Sequence, residues 1–157
     1  MPLLNYTTEV DADKSAQEIA KMLSRAGAKA VLTEYDEDEG YVAAISFKIK
    51  INGQDVAFRL PSDWKPVFEV MYKDKKSYSS YDSRYDSQQS QRKAQAIRTA
   101  WRIVKDWTEA QLAIIETRMV KTEQVFLPYA IMRDNKTLYE HVESNPQFLL
   151  GSGQEEP

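Results

Sequence analysis

Cysteine is absent from this chain, and histidine occurs once, at position 141. Without sulfur there is no disulfide, no thiolate nucleophile and no cysteine-based zinc site, so packing alone must hold the fold. Such a composition is compatible with a reducing compartment. The five glycines, at 27, 40, 53, 151 and 153, are too scattered to form a phosphate-cradling loop. No apolar run approaches the roughly 18 residues of a membrane span, and MPLLNYTTEV has neither the basic nor the apolar region of a signal peptide. The expectation is a soluble cytoplasmic protein that does not contact a membrane. A large charge excess is also missing. Lys+Arg 21 against Asp+Glu 24 gives a net charge of −3, which argues against a surface built throughout for nucleic-acid phosphate but leaves room for a local basic patch.

What is present organises itself around residues 94 to 119, AQAIRTAWRIVKDWTEAQLAIIETRM, which contain no proline or glycine and are mostly good helix formers. Ile97, Ala100, Trp101, Val104, Trp107 and Ile114 recur at three- and four-residue steps. Ala96, Ile103, Ala110 and Ala113 widen that stripe beyond what one neighbour could cover. The pattern predicts a long central helix with other elements packed on two sides. At 157 residues the chain suits one domain with a real core. We expect a single α+β domain over residues 1–150, a β-α-β-β-β antiparallel-rich sheet on the central helix with shorter C-terminal helices, and a polar, disordered tail at 151–157.

From the N-terminus, Leu4 to Val10 suits a short strand. Ser15 and Glu18 have the spacing of a capping box for a first helix running to Arg25 and stopping at Gly27. Ala28 to Tyr35 reads as a strand and the acidic Asp36–Glu39 as its turn. Tyr41 to Ile51 is the clearest strand, with Ala43, Ile45, Phe47, Ile49 and Ile51 facing the core and Lys48 and Lys50 among the residues facing out. Asn52-Gly53 is a strong hairpin signal, after which Val56, Phe58 and Leu60 resume the alternation. Ser62 can cap the next helix. Thr122 to Met132 predicts a short, heavily buried helix or turn-helix, and Thr137 with Glu140 a capping box for a last helix through Val142.

Residues 73–93, KDKKSYSSYDSRYDSQQSQRK, contain no aliphatic side chain, and a segment with so little to bury is expected to be a flexible insertion. It carries six basic residues against three acidic ones. Tyr78, Tyr81 and Tyr85 alternate with cations such as Arg84, as a stacking and phosphate-binding surface for single strands would require, although Asp82 and Asp86 oppose that reading.

The search for chemistry returns little. His141 has no second histidine to complete a dyad or metal site and reads as a surface residue. Asp36 to Glu39 reads as a solvated turn rather than a cation loop, and Glu109 and Glu116 as part of a charge ladder that begins at Lys105. No catalytic residue, metal site or cofactor is expected. Two clusters remain as binding candidates: Lys48, Lys50 and Arg59 on the outer face of the hairpin, and Arg98, Arg102 and Lys105 as a ridge on the central helix. Either could equally be the polar face that any exposed sheet or amphipathic helix must have.

Ala100-Trp101-Arg102, Lys105-Asp106-Trp107, Ala110-Gln111, Glu116, Val125-Phe126-Leu127-Pro128-Tyr129 and Leu138-Tyr139 resemble a group of small uncharacterised proteins encoded by bacteriophages, prophages and bacterial mobile elements. Asn5-Tyr6-Thr7-Thr8-Glu9-Val10, Arg25-Ala26-Gly27-Ala28 and Phe58-Arg59-Leu60-Pro61 share the likeness, which covers most of the chain apart from 73–93 and the tail. The resemblance implies a phage or mobile-element accessory protein acting inside a bacterium, and carries no catalytic residue with it. The expectation is therefore a non-enzymatic protein that binds a host or phage macromolecule. A protein partner comes first, in the manner of an inhibitor or modulator of a host defence machine. The alternative is a single-stranded nucleic-acid-binding accessory of phage replication or recombination.

Overall fold

The computed structural model describes residues 2–150, so the expected tail at 151–157 lies outside the described residues. The chain folds as α+β. Helix α1 (Ala12–Arg25) leads into strands β1 (Ala30–Tyr35), β2 (Val42–Ile51) and β3 (Gln54–Arg59). Helix α2 (Trp64–Tyr72) and the long α3 (Tyr85–Glu116) follow. The short helices α4 (Thr122–Phe126), α5 (Leu138–Ser144) and α6 (Gln147–Leu150) complete the order, with a 3₁₀ turn at Leu127–Tyr129. The three strands form one antiparallel sheet in the order β1-β2-β3.

The expected N-terminal strand does not form. Residues 4–7 are a turn in which Asn5 adopts a φ of 62°, a left-handed conformation that interrupts an extended run. The segment lies along α3 instead of joining the sheet. Gln95 Nε2 donates to the carbonyls of Tyr6 (3.0 Å) and Thr8 (2.9 Å), and Asn5 Nδ2 donates to Asp106 Oδ2 at 2.8 Å. Side chains of α3 thus take the place of a strand neighbour in satisfying this backbone.

The α1 helix begins earlier than the Ser15–Glu18 spacing suggests, with Asp11 at its N-cap. Ser15 is therefore no cap. It is wholly buried, and its Oγ has no hydrogen-bond partner among the described residues. In α2 the cap is Asp63 rather than Ser62, because Asp63 is extended and its Oδ1 accepts from the Lys65 N–H at 3.1 Å.

Asn52 (φ 49°) and Gly53 (φ 81°) both take positive φ, the geometry of a two-residue primed turn that matches strand twist. The alternation along β2 holds from Ile45 onward and fails before it. Glu34 pairs with Ala44 and Tyr35 with Val42, which leaves Ala43 as an extra residue. That bulge turns Val42 into the core and Ala43 out to solvent, reversing the expectation for Ala43.

Helix α3, at 32 residues, is about 48 Å long at 1.5 Å per residue. Helices α1 and α2 both pack against it. Trp101 is 2% exposed, and its Nε1–H donates to the Val42 carbonyl at the bulge at 2.8 Å. Phe47, Phe58 and Phe126 meet in one aromatic cluster with centroids 5.1–6.0 Å apart, and Trp107 stands edge-on to Phe126 at 5.8 Å. Ile45, Phe47, Phe58, Trp101 and Val104 are core residues as expected, with Ile49, Val56 and Trp107 packed partly buried against them.

Helix α3 starts at Tyr85, nine residues before the apolar stripe, so part of the 73–93 segment is helical rather than an insertion loop. The connection before it is tied back to the helix. Arg92 donates to the Lys76 carbonyl at 2.7 Å, and the Tyr78 N–H donates to Gln88 Oε1 at 2.9 Å. After α4 the chain closes the far edge of the sheet: the Ile131 N–H donates to the Ala57 carbonyl at 2.8 Å, and Ala130 bridges to Phe58. The Thr137–Glu140 capping box is present, with Glu140 N–H to Thr137 Oγ1 at 3.2 Å and Thr137 N–H to Glu140 Oε2 at 2.8 Å. Its helix, α5, runs past Val142 to Ser144. Phe126 is buried as the sequence suggests, but Leu127 (51%) and Met132 (42%) are exposed.

Candidate functional site

A wide concavity lies where α1 ends, between the second half of α3, α4 and the hairpin half of the sheet. It is an open groove of about 630 Å³. Its floor comes from Met22 and Leu23 of α1, Phe47 and Ile49 of β2, Leu112 and Ile115 of α3 and Phe126 of α4. Arg25, Glu109 and Glu116 stand among its lining. Strand alternation aims Phe47 and Ile49 toward the helices, while the wide apolar stripe of α3 carries Leu112, Ala113 and Ile115 past the region that α1 covers. Small residues, Ala26, Ala28 and Ala113, keep the groove from filling. A volume of this size with an apolar floor and few charged groups is typical of a binding site.

The electrostatics of its α3 wall are mixed. Lys105 Nζ lies 2.6 Å from Glu109 Oε2 and 3.6 Å from Asp106, and the Glu109 carboxylate raises the lysine's pKa. Among the described residues, Glu116 and Arg25 have no ion pair.

The cations singled out in the sequence are largely engaged within the molecule. Arg98 donates to Gln95 Oε1, Arg102 reaches across to Glu18 Oε2 of α1 at 2.6 Å, and Lys105 is held by Glu109. Of this ridge, Arg102 ties α3 to α1, while Arg98 and Lys105 are held by residues of α3 itself. On the hairpin, Lys48 and Lys50 are exposed as expected. Arg59 forks onto the carbonyl of Asn135 (3.2 Å) and its Oδ1 (3.0 Å), pinning the turn beside β3. Asp55 sits opposite Lys50 and bonds Lys29 Nζ at 2.9 Å, and these lysines hold its carboxyl below the ordinary range, Lys29 foremost.

In the α2–α3 connection, Arg84 stacks over the Tyr78 ring at 4.1 Å from its centroid. It also grips Asp82 through two hydrogen bonds, Nε to Oδ1 at 3.1 Å and a terminal nitrogen to Oδ2 at 2.9 Å. Tyr81 is 98% exposed, and Tyr85 is half-buried at the start of α3. The structure thus brings Tyr78, Arg84 and Asp82 together and leaves Tyr81 standing free. His141 lies 3.0 Å from Asp134 and holds that carboxyl below its ordinary range.

One cluster was invisible in the sequence. Lys93 Nζ sits 4.8 Å from the centroid of the Trp64 ring and 5.2 Å from that of Tyr41, and its charge is latched by Glu39 Oε1 at 2.8 Å. Trp64 Nε1–H donates to the Tyr41 hydroxyl at 3.3 Å. This joins the β1–β2 turn, α2 and α3, a cation–π arrangement whose members are too far apart in sequence for any spacing to mark. The groove was missed for the same reason, although the excess width of the α3 stripe was a signal that it has more apolar surface than its neighbours cover. Among the described residues no group of three or more His, Asp or Glu could hold a metal ion, and no helix is long and apolar enough to cross a membrane. Compared with family models, curated proteins and solved structures, the chain matches none.

Proposed function

We propose that this protein is an accessory protein of a bacteriophage or other mobile element that acts in the host cytoplasm without catalysis, by binding a protein of the host or phage. An inhibitor or modulator of a defence machine is the form of such binding that we favour. The observation that carries the reading is the groove at the α1–α3 junction, an apolar floor with few charges at its edge, which suits a protein side-chain cluster better than a phosphate chain. The engagement of Arg59, Arg84, Arg98, Arg102 and Lys105 by partners of this same chain supports it further. Those groups have little left to offer a polyanion, and the net charge of −3 adds no long-range attraction.

Affinity capture from host lysate, with and without nuclease, tests this when paired with Ala113→Trp. Ala113 is exposed in the groove lining, so tryptophan there occupies the groove without disturbing the core. The expected result is one specific protein retained after nuclease and lost with Ala113→Trp at unchanged melting temperature. The nucleic-acid alternative is supported by Lys73, Lys75 and Lys76, exposed in the same segment as the free ring of Tyr81. Recovery of single-stranded DNA or RNA alone, abolished by Lys48→Glu with Lys50→Glu or by Tyr81→Ala, would establish it instead.

A further inference from the structure

The sheet has two edges, and the chain treats them differently. The β3 edge is bridged at Ala57 and Phe58 by Ile131 and Ala130. Among the described residues the β1 edge has no strand beyond it, and the backbone groups of Ala30–Tyr35 have no hydrogen-bond partner outside their ladder with β2. No residue of β1 is buried, with Leu32 56% and Tyr35 55% exposed. Proteins usually blunt such an edge with proline, lysine, a bulge in the strand itself or a charge pointing inward. Strand β1, AVLTEY, has none of these: the bulge at Ala43 is in β2, and Val31 and Thr33 point inward.

We propose that β1 pairs antiparallel with β1 of a second copy of this chain, making one continuous six-stranded sheet about a two-fold axis through Thr33. The chemistry of the strand selects this occupant. Its N-terminal end carries Lys29, an exposed cation that exchanges Asp55 of its own chain for the second copy on pairing, and its C-terminal end carries Glu34 and runs into Asp36 and Glu37. Antiparallel pairing sets each copy's cation beside the other's acidic end, whereas parallel pairing would set the two acidic turns side by side. Two-fold pairing with matched faces requires residues of the same parity to meet. Centring on Thr33 brings Thr33 against Thr33, Val31 against Tyr35 and Lys29 beside Glu37. The first two are a threonine pair and an aromatic–β-branched pair, cross-strand neighbours that stabilise antiparallel ladders, and the third is an approach of opposite charges just beyond the strand, with Glu37 on the β1–β2 turn. Centring on Leu32 offers neither the charge match nor the aromatic pair. The proposal rests on the strand edge alone and is independent of the groove and its partner.

Sedimentation equilibrium of the full chain over a concentration series, with hydrogen exchange at each concentration, tests it. The expected result is a reversible monomer–dimer equilibrium, with amides of residues 30–35 gaining protection as dimer forms. Glu37→Lys and Lys29→Glu should each weaken dimerisation by about tenfold, the equivalent of about 1.4 kcal/mol over two reversed pairs. An equimolar mixture of the two variants should recover wild-type association, because every reversed pair is then matched again. Glu37 lies exposed on a turn, so its replacement leaves the fold intact even if loss of the Lys29–Asp55 contact perturbs the other variant. A monomer at every concentration, or a dimer indifferent to Glu37→Lys, overturns the proposal. So does protection of residues 30–35 that appears only when a different protein is added.

Discussion

Trp101 is where the long helix and the sheet are joined, and two substitutions separate the parts of that join. Trp101→Ala removes a fully buried indole, and with it a donor to the Val42 carbonyl at 2.8 Å. Large-to-small aromatic truncation in a core costs about 3–5 kcal/mol. For a chain of this size each kcal/mol shifts the melting temperature by about 2–4 °C, so a drop on the order of 10–15 °C is expected. Trp101→Phe keeps much of the buried ring but leaves the carbonyl at the bulge without its donor and a small void beside it. Its expected cost is about 1–2 kcal/mol, the scale of one lost hydrogen bond with an unsatisfied acceptor. Urea denaturation of the three proteins, with slopes compared to confirm a common two-state transition, gives both differences. If Trp101→Phe were as damaging as Trp101→Ala, the hydrogen bond and not the ring would hold the helix to β2. If both fell within about 0.5 kcal/mol of wild type, the surface range, the helix would not be anchored at this point at all.

Ser15→Ala should raise stability by about 1 kcal/mol, because it removes a buried hydroxyl whose oxygen has no partner among the described residues, at almost constant volume; a lower urea midpoint would show that the hydroxyl is bonded after all. Stability should also fall on acidification. Asp36, Asp55, Asp82 and Asp134 all have folded pKa values held below the ordinary carboxylate range, chiefly by the Glu39 N–H, Lys29, Arg84 and His141 respectively. A depressed folded pKa contributes stability that is fully present above the unfolded value and is lost as pH falls through the folded one. The urea midpoint should therefore decline below about pH 4, and the Asp134→Asn variant should show a shallower decline; identical acid limbs would remove that carboxylate from the account.

The parts of the fold that were legible in the sequence are those whose cause is local. Asn52-Gly53 fixes a turn because both residues tolerate positive φ, and Thr137–Glu140 fixes a helix start because the two side chains need only each other. The same spacing at Ser15–Glu18 misleads, since α1 starts before it and draws Ser15 into the core; nothing within four residues distinguishes the two cases. The β2 bulge was hidden because Val42, Ala43 and Ala44 are all apolar, so the pattern does not mark which is the extra residue. At the other end of the long helix, Tyr85–Lys93 is helical without an apolar stripe. Contacts with distant groups hold it there: Arg92 on the Lys76 carbonyl and over the Tyr72 ring, and Lys93 between Trp64, Tyr41 and Glu39. Helical propensity reads the chain one turn at a time, whereas these partners lie between 16 and 54 residues away.

That distance also explains why the candidate site could not be read directly. Residue type shows which side chains can bind phosphate, but not whether the fold has already supplied them with an oxygen. Arg102 and Lys105 looked like members of one ridge because they share a helix, yet one answers to Glu18 on α1 and the other to Glu109 on its own helix. Glu109, in turn, looked like a rung of a surface ladder, and it does make the i, i+4 pair that the spacing predicts. The ladder reading was right about that contact and silent about the rest, because Glu109 also lines a groove whose other walls are Met22, Ile49 and Phe126. A cation already held by the fold must give up its internal partner before it can serve a ligand, whereas an apolar floor open to water gains free energy from any well-shaped apolar cover. That asymmetry turns a list of basic residues into a weak argument for nucleic acid, and an unplanned gap between α1, β2, α3 and α4 into the stronger argument for a protein partner.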